Sequence, residues 1–360
     1  MNHELRRTMN YHMCPYLRRL RHHMIRSVQY LRGVAALMVL LHHVYRTLLI
    51  NRGYLPDWLH NAVAGSFSSG VDIFFVISGF VIYLSISERP KSPLQFLSDR
   101  IARIAPAYWL YSGIFALIII YYPWTHPSSA FEFTHFIKSL LFIPARNPAD
   151  MNFYPTLIVG WTLNFEMAFY LIMSISLVFG VKYLHYFILA FLIAINLFAT
   201  KSPLTEFYGT TRIFEFALGV MIGRLYLTKI SIFNIDESIS TLTLILAFYV
   251  LLFVNGDIFL TSGIPSALIV FSAICLNKNL KQIDFLDKLG DSSYTLYLSH
   301  KIFICLAVII CKNFNYGFEL MAIPVIIISL IYSFSTYKYV EVIPSKAIKN
   351  RMHVLNNKSI

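Results

Sequence analysis

The apolar run Y-L-R-G-V-A-A-L-M-V-L-L-H-H-V-Y-R, residues 30 to 46, carries an arginine at Arg32 and two histidines at His42 and His43. An imidazole can take a proton from a hydroxyl near neutral pH, and a guanidinium can fork onto a phosphate. Both groups are expensive in hydrocarbon, so a span that keeps them has either a partner or a use for them. Eleven residues separate Arg32 from His43. On an α-helix that is about 16 Å of rise and only ~20° of rotation, so the two share one face. His42 points roughly 80° from Arg32 and reads as a packed neighbour.

Other ionisable residues fall in layers around that face. Asp72, in G-V-D-I-F-F-V-I-S-G-F, is expected at a depth close to that of His43. A carboxylate there would orient the imidazole and raise its basicity, an arrangement suited to acyl transfer. Glu166, in W-T-L-N-F-E-M-A-F-Y, falls near the midplane. Arg212 and Glu215 stand three apart in T-R-I-F-E-F-A-L-G, the spacing of a structural ion pair. Nearer the other end, Arg100 and Arg103 lie in F-L-S-D-R-I-A-R-I-A-P, and His300 and Lys301 in S-S-Y-T-L-Y-L-S-H-K-I-F. Arg32, Arg100, Arg103 and Lys301 could together hold an anionic, phosphate-bearing donor. The plainer reading is that Arg100 and Arg103 follow the positive-inside rule and that Lys301 snorkels to the interface.

The elements that must position these residues are membrane helices. Of 360 residues, 57% are hydrophobic and 13% charged, against about 25% charged in ordinary soluble domains. Ten apolar runs, near 28–50, 64–86, 104–122, 156–179, 183–199, 211–228, 239–255, 258–276, 293–311 and 319–340, are long enough or nearly so to span a bilayer. They are continuous rather than alternating, which predicts an all-α polytopic membrane protein and not a barrel. With ten spans, 21 Lys and Arg fall on the side of the termini and 7 on the other, Arg32 and Lys301 lying within spans. Both termini are therefore expected in the cytoplasm, and the basic excess needs no nucleic-acid partner.

Cys14, Cys275, Cys305 and Cys311 form no C-x-x-C pair, so neither a metal site nor a disulfide framework is expected. Residues 1–25 read as a basic cytoplasmic tail, with a start at Met24 as an alternative. The membrane domain is expected over 26–345 and a second cytoplasmic tail over 346–360. The break at 123–155 contains F-I-K-S-L-L-F-I-P and is expected to form a short outer helix.

Several blocks together resemble the bacterial membrane acyltransferase-3 family. The Arg-x10-His of its first span is matched by Arg32 and His43, and its R-x-x-R before a proline by Arg100, Arg103 and Pro106. G-V-D-I-F-F-V-I-S-G-F, W-T-L-N-F-E-M-A-F-Y, R-I-F-E-F-A-L-G and L-G-D-S-S-Y-T-L-Y-L-S-H are similar to further family blocks, in order, from about residue 25 to 340. Q-Y-L-R-G-V-A-A-L, with Gln29 where many members have aspartate, resembles the exopolysaccharide and O-antigen acetyltransferase branch. The resemblance implies acyl-CoA, usually acetyl-CoA, as co-substrate with no bound cofactor. It implies a sugar hydroxyl of an envelope glycan or lipid-linked oligosaccharide, such as O-antigen lipopolysaccharide, as acceptor. The setting would be the bacterial inner membrane. His43, Asp72 and Glu166 are then the catalytic candidates. Arg32, Arg100, Arg103, His300 and Lys301 become donor-binding candidates, and Trp161, Arg212, Glu215 and Tyr297 structural or acceptor-side residues. His43 could act as a base or carry the acyl group itself. The rival readings are a secondary transporter or flippase, whose pathways also use buried ionisable groups, and a scaffold subunit.

Overall fold

The computed structural model describes residues 25–52, 67–149, 152–197 and 203–358, and the described residues contain helices and no strand. Each of the ten apolar runs forms a helix. We number the helices α1 (Arg26–Arg52), α2 (Gly70–Glu88), α3 (Pro93–Tyr121), α4 (Phe133–Leu140), α5 (Trp161–Ser176), α6 (Leu184–Leu197) and α7 (Pro203–Tyr208). There follow α8 (Ile213–Thr228), α9 (Glu237–Phe253), α10 (Ile264–Leu276), α11 (Asp284–Asp291), α12 (Ser293–Phe314), α13 (Glu319–Tyr337) and α14 (Ile343–Lys358). Among the described residues, seven helical stretches are long and apolar enough to cross a membrane: Arg26–Asn51, Phe67–Glu88, Pro93–Tyr121, Ile158–Phe179, Phe259–Asn279, Ser293–Phe314 and Glu319–Met352. The runs at 183–199, 211–228 and 239–255 form α6, α8 and α9, of 14, 16 and 17 residues. The described residues thus give an all-helical, multi-pass membrane protein with seven candidate spans in place of the ten expected, the runs at α6, α8 and α9 forming helices shorter than a full span. Residues 1–24 of the expected basic tail 1–25, with the Met24 start and Cys14, lie outside the described residues.

Helices in lipid gain little from burying apolar surface against one another, so close backbone approach matters more. The crossing of α2 and α8 depends on it. A Cβ on Gly219 would stand 2.0 Å from the Val76 carbonyl oxygen, and one on Gly79 2.1 Å from that of Phe216. Phe216 then stacks between Phe75 and Phe169, at 4.6 and 4.5 Å, tying α2, α5 and α8 into one core. A second core joins α1 and α2 to α10 through Ala35, Val76, Phe80 and Ile269. A third joins α1 to α11, α12 and α13 through Ala36, Leu40, Leu289, Leu296 and Val325. α1 therefore has protein on several sides, while α9 and α13 keep rows such as Ile245, Tyr249, Ile327 and Ile331 exposed, as lipid-facing helices do.

The break at 123–155 does contain a short helix, α4, held by local polar bonds rather than apolar burial alone. Glu132 caps it by accepting from the Thr134 and His135 backbone N–H groups at 2.7 and 2.6 Å. Those two bonds hold the Glu132 carboxyl below the usual carboxylate range. Ser139 accepts from the Thr156 N–H at 3.0 Å, and Tyr108 on α3 donates to the Ser139 carbonyl at 3.1 Å. At the far end of the chain the helix runs on past the expected boundary. A π-helical stretch at Lys338–Val342 joins α13 to α14. The expected tail residues 346–358 are helical, with Lys349 facing Asp99, Arg100 and Arg103 of α3.

Candidate active site

α1 carries the two groups that anchor the site, and its neighbours sort the remaining polar residues into two layers. The lower layer surrounds Arg32. Gln29, one turn earlier, accepts from Arg32 Nη1 at 3.3 Å and donates through Nε2 to Asp291 at 2.7 Å. An amide can do both where a carboxylate could only accept, so glutamine at this position links Arg32 to Asp291. Arg103, Glu341, Glu166 and Tyr170 are the charged or ionisable groups around the Arg32 guanidinium. Arg100 lies over the Phe96 and Tyr170 rings at 5.3 and 5.9 Å, donates to Ser85 at 3.4 Å, and leaves its buried Nε without a partner. Arg103 is exposed.

Glu166 belongs to this lower layer. It accepts from Ser78 at 3.1 Å and from the Tyr170 hydroxyl, and it faces Arg32 and Arg100. Glu341, in the π-helical stretch, accepts from the Thr295 N–H at 2.7 Å and from the Thr295 hydroxyl.

The upper layer surrounds His43. Its ring stacks on His300, centroids 5.1 Å apart and planes 27° from parallel, and His42 meets its edge at 5.2 Å. His300 is fully buried, and its Nδ1 lies 3.1 Å from the Leu296 carbonyl. A carbonyl only accepts, so Nδ1 carries the proton, and Nε2 is left bare and without a partner. Lys301 is buried on the next position of α12, and it faces His43, His300, His126, Arg46 and Cys305. His43 is only half-buried, and its ring nitrogens bond to none of the described residues.

Three sequence expectations change. Asp72 does not orient His43. α2 starts lower on α1 than a count of depth suggests: a Cβ on Gly70 would meet the Ala35 carbonyl at 2.5 Å, with Met38 and Val39 next. Asp72 lies further down still. Its Oδ1 accepts from Arg212 Nε at 3.1 Å, and its carboxyl faces Glu215. The Arg212–Glu215 pair is accordingly replaced by a buried group of three, in which Arg212 serves Asp72 and lies over Trp161 at 5.4 Å. His300 and Lys301, lastly, stand with His43 and not with Arg32. α11 lies beneath α12, where Gly290 packs on Gln29, so α12 starts already one turn up α1.

Of the four cations expected to form one cluster, Arg103 lies near both Arg32 and Arg100, and Lys301 stands apart from them. Tyr297 spends its hydroxyl on Thr162, at 2.7 Å, and on the Val159 carbonyl, at 2.8 Å, which locks α12 to α5. Sequence reasoning missed Tyr170, Glu341, His126 and Lys349. Only Tyr170 carried a local signal, one helical turn after Glu166.

Comparison with known proteins bears on what these two layers do. An acyltransferase domain of the acyltransferase-3 type matches residues 25–338. The chain is a member of the acyltransferase-3 family. Among curated relatives, the exopolysaccharide production protein ExoZ of Rhizobium meliloti (strain 1021) is 33% identical over 245 residues, 65% of this chain and 75% of that protein. A protein of the Acidianus two-tailed virus provisionally named an acetyltransferase, ORF330, is 27% identical over 292 residues, 75% of this chain and 80% of that one. No solved structure matches the chain. Family membership makes this acyltransferase-3 protein an enzyme, an O-acyl or acetyltransferase, and sets aside the transporter and scaffold readings.

Proposed function

We propose that this acyltransferase moves an acetyl group from cytoplasmic acetyl-CoA to a sugar hydroxyl of an envelope polysaccharide, in the inner membrane of a bacterium. The observation that carries the reading is the one face of α1. It presents a half-buried guanidinium at Arg32 and, eleven residues on, a half-buried imidazole at His43 whose nitrogens bond none of the described residues. The excess of Lys and Arg on the Arg32 side supports a cytoplasmic placement of that end. The similarity to ExoZ, an exopolysaccharide production protein, supports a glycan acceptor.

In this mechanism Arg32, Arg100 and Arg103 hold the nucleotide phosphates, for which the planar guanidinium fork is well shaped. The pantetheine arm runs along α1 and brings its thioester to His43. His43 takes the proton of the sugar hydroxyl as the oxygen attacks the thioester carbonyl. A C–O bond forms, the C–S bond breaks, and the departing thiolate takes the proton back from His43. The stack against His300 fixes the plane of the His43 ring. A route through an acyl-histidine uses the same residue, and would show as acetylated protein in a single turnover without acceptor.

The test is release of free CoA by purified protein supplied with acetyl-CoA and polysaccharide. His43→Ala should abolish it while retaining fold and membrane insertion, and wild-type turnover in that variant overturns the proposal. Arg32→Ala should raise the KM for acetyl-CoA, so an unchanged KM removes Arg32 from donor binding. Comparing O-acetyl signals of the surface glycan with and without the gene would name the sugar and position.

A further inference from the structure

The upper layer contains more positive charge than a base for a neutral hydroxyl requires. Lys301 is 5% exposed, and the groups that face it are His43, His300, His126, Arg46 and the Cys305 thiol. None is a carboxylate. A buried ammonium is costly to desolvate unless an anion or a set of acceptors compensates it. Nothing among the described residues accepts a hydrogen bond from Lys301 Nζ. Two further nitrogens beside it are also unpartnered: His300 Nε2, on a fully buried ring, and His126 Nδ1, in the segment that follows α3. Arg46, one turn beyond His42 on α1, is exposed and adds a second cation toward the same end.

From this we infer that the space bounded by Lys301, Arg46 and His126 binds an anionic group of the acceptor, a carboxylate or a phosphate, beside the hydroxyl that His43 deprotonates. The inference deepens the acceptor side of the function proposed above and rests on that reading of the site. Lys301 and Arg46 supply the charge, and the neighbouring imidazoles supply the remaining polar contacts. The anion has two sources with the same chemistry. One is a carboxylated sugar within the glycan repeat, and the other is the phosphate that links a repeat to its lipid carrier. The acceptor chosen would then be an acidic saccharide in preference to a neutral one of equal size.

The experiment measures binding to the full-length protein in detergent micelles, with free CoA saturating so that the lower arginines are occupied. The probes are methyl glucuronide, inorganic diphosphate and, as the neutral control, methyl glucoside. The first, the second or both should bind and raise the melting temperature, and the glucoside should not. Binding of the glucuronide alone assigns the carboxylated sugar, and of diphosphate alone the carrier phosphate. Lys301→Gln should weaken anion binding about tenfold, the worth of one charge-assisted hydrogen bond, while Lys301→Arg should keep it. Arg46→Gln, on an exposed residue, gives a second reading should Lys301→Gln fail to fold, and should also weaken binding. The inference is overturned if neither anion binds the CoA-saturated protein. It is equally overturned if binding is unchanged in Arg46→Gln and in whichever Lys301→Gln protein folds. His43→Ala, read by binding instead of turnover, should retain the anion, so failure of His43 as the base and failure of the anion site give different results.

Discussion

Removing Arg212 should cost this protein far more than removing its partner Asp72. Asp72 is completely buried, as is Glu215, whereas the Arg212 side chain is 27% exposed. In Arg212→Met the buried Asp72 loses the cation bonded to its Oδ1, and Glu215, which faces Asp72, loses the positive charge beside it. Breaking a buried pair in that direction costs about 3–5 kcal/mol. In Asp72→Asn the amide oxygen can still accept from Arg212 Nε, and the guanidinium keeps its route to water, so about 1 kcal/mol is expected. At roughly 2 °C per kcal/mol for a chain of this length, the arginine variant should melt some 6–10 °C below wild type and the asparagine variant only a few degrees below. The double variant should recover part of the loss, because one of the stranded carboxyls is gone. Melting in detergent, followed by tryptophan fluorescence or by size exclusion after heating, measures all three. Equal melting temperatures for Arg212→Met and Asp72→Asn would refute the assignment of Arg212 as the counter-charge of Asp72, as would strictly additive losses in the double variant.

Three further outcomes follow from the same geometry. Lys349→Gln, which removes a half-buried cation facing Arg100 and Arg103, should raise the KM for acetyl-CoA about threefold, a screened ionic contact, without changing kcat; a change in kcat alone contradicts it. Gly219→Ala places a Cβ 2.0 Å from the Val76 carbonyl, so α2 and α8 must part, at an overpacking cost of about 1–3 kcal/mol; a wild-type melting temperature would contradict this. Glu132 has a folded-state pKa depressed below its ordinary value of 4.5 by two backbone N–H bonds, so its cap is at full strength above that value and is lost as pH falls through the depressed one. Amide exchange at Thr134–Phe136, relative to intrinsic rates, should be slow at pH 6 and speed up only well below pH 4.5; Glu132→Gln should exchange quickly at both, and a protein showing no difference between the two would contradict the cap.

The helices were largely legible because each apolar run has to satisfy its own backbone in lipid, and that constraint acts locally along the chain. The pairing of Arg32 with His43 on one face was legible for the same reason, being set by helical periodicity within α1. Errors arose wherever the answer depended on how far one helix is shifted along another. Asp72 was placed beside His43 by counting inward from the start of an apolar run, but the approach of Gly70 to Ala35 sets α2 lower. His300 and Lys301 were assigned to the donor layer by the same counting, and the small helix α11 beneath them raises α12 to the level of His43. Lys349 lay beyond the expected end of the membrane domain, and nothing in its local sequence points to the arginines it faces.

The two layers differ in how their charge is balanced, and the difference bears on what each awaits. In the lower layer cations alternate with acids: Glu166 and Glu341 face Arg32, Lys91 bonds Asp99, and Asp99 also faces Arg100 and Lys349. A cluster arranged that way is stable when empty, and an arriving polyanion competes with carboxylates for the guanidiniums. Its binding should be reversible and salt-sensitive, as suits a co-substrate that must leave after each turnover. Among the described residues, no carboxylate is set against Lys301, His43 or His300 in the upper layer. Lys301 and its histidine neighbours face one another and Arg46, so no described carboxylate competes with a ligand there. An incoming anion would meet a lysine that is itself almost fully buried. On the function proposed above, the donor end suits exchange and the acceptor end selection. The stacked pair of His43 and His300 stands where the selected hydroxyl and the arriving thioester would meet.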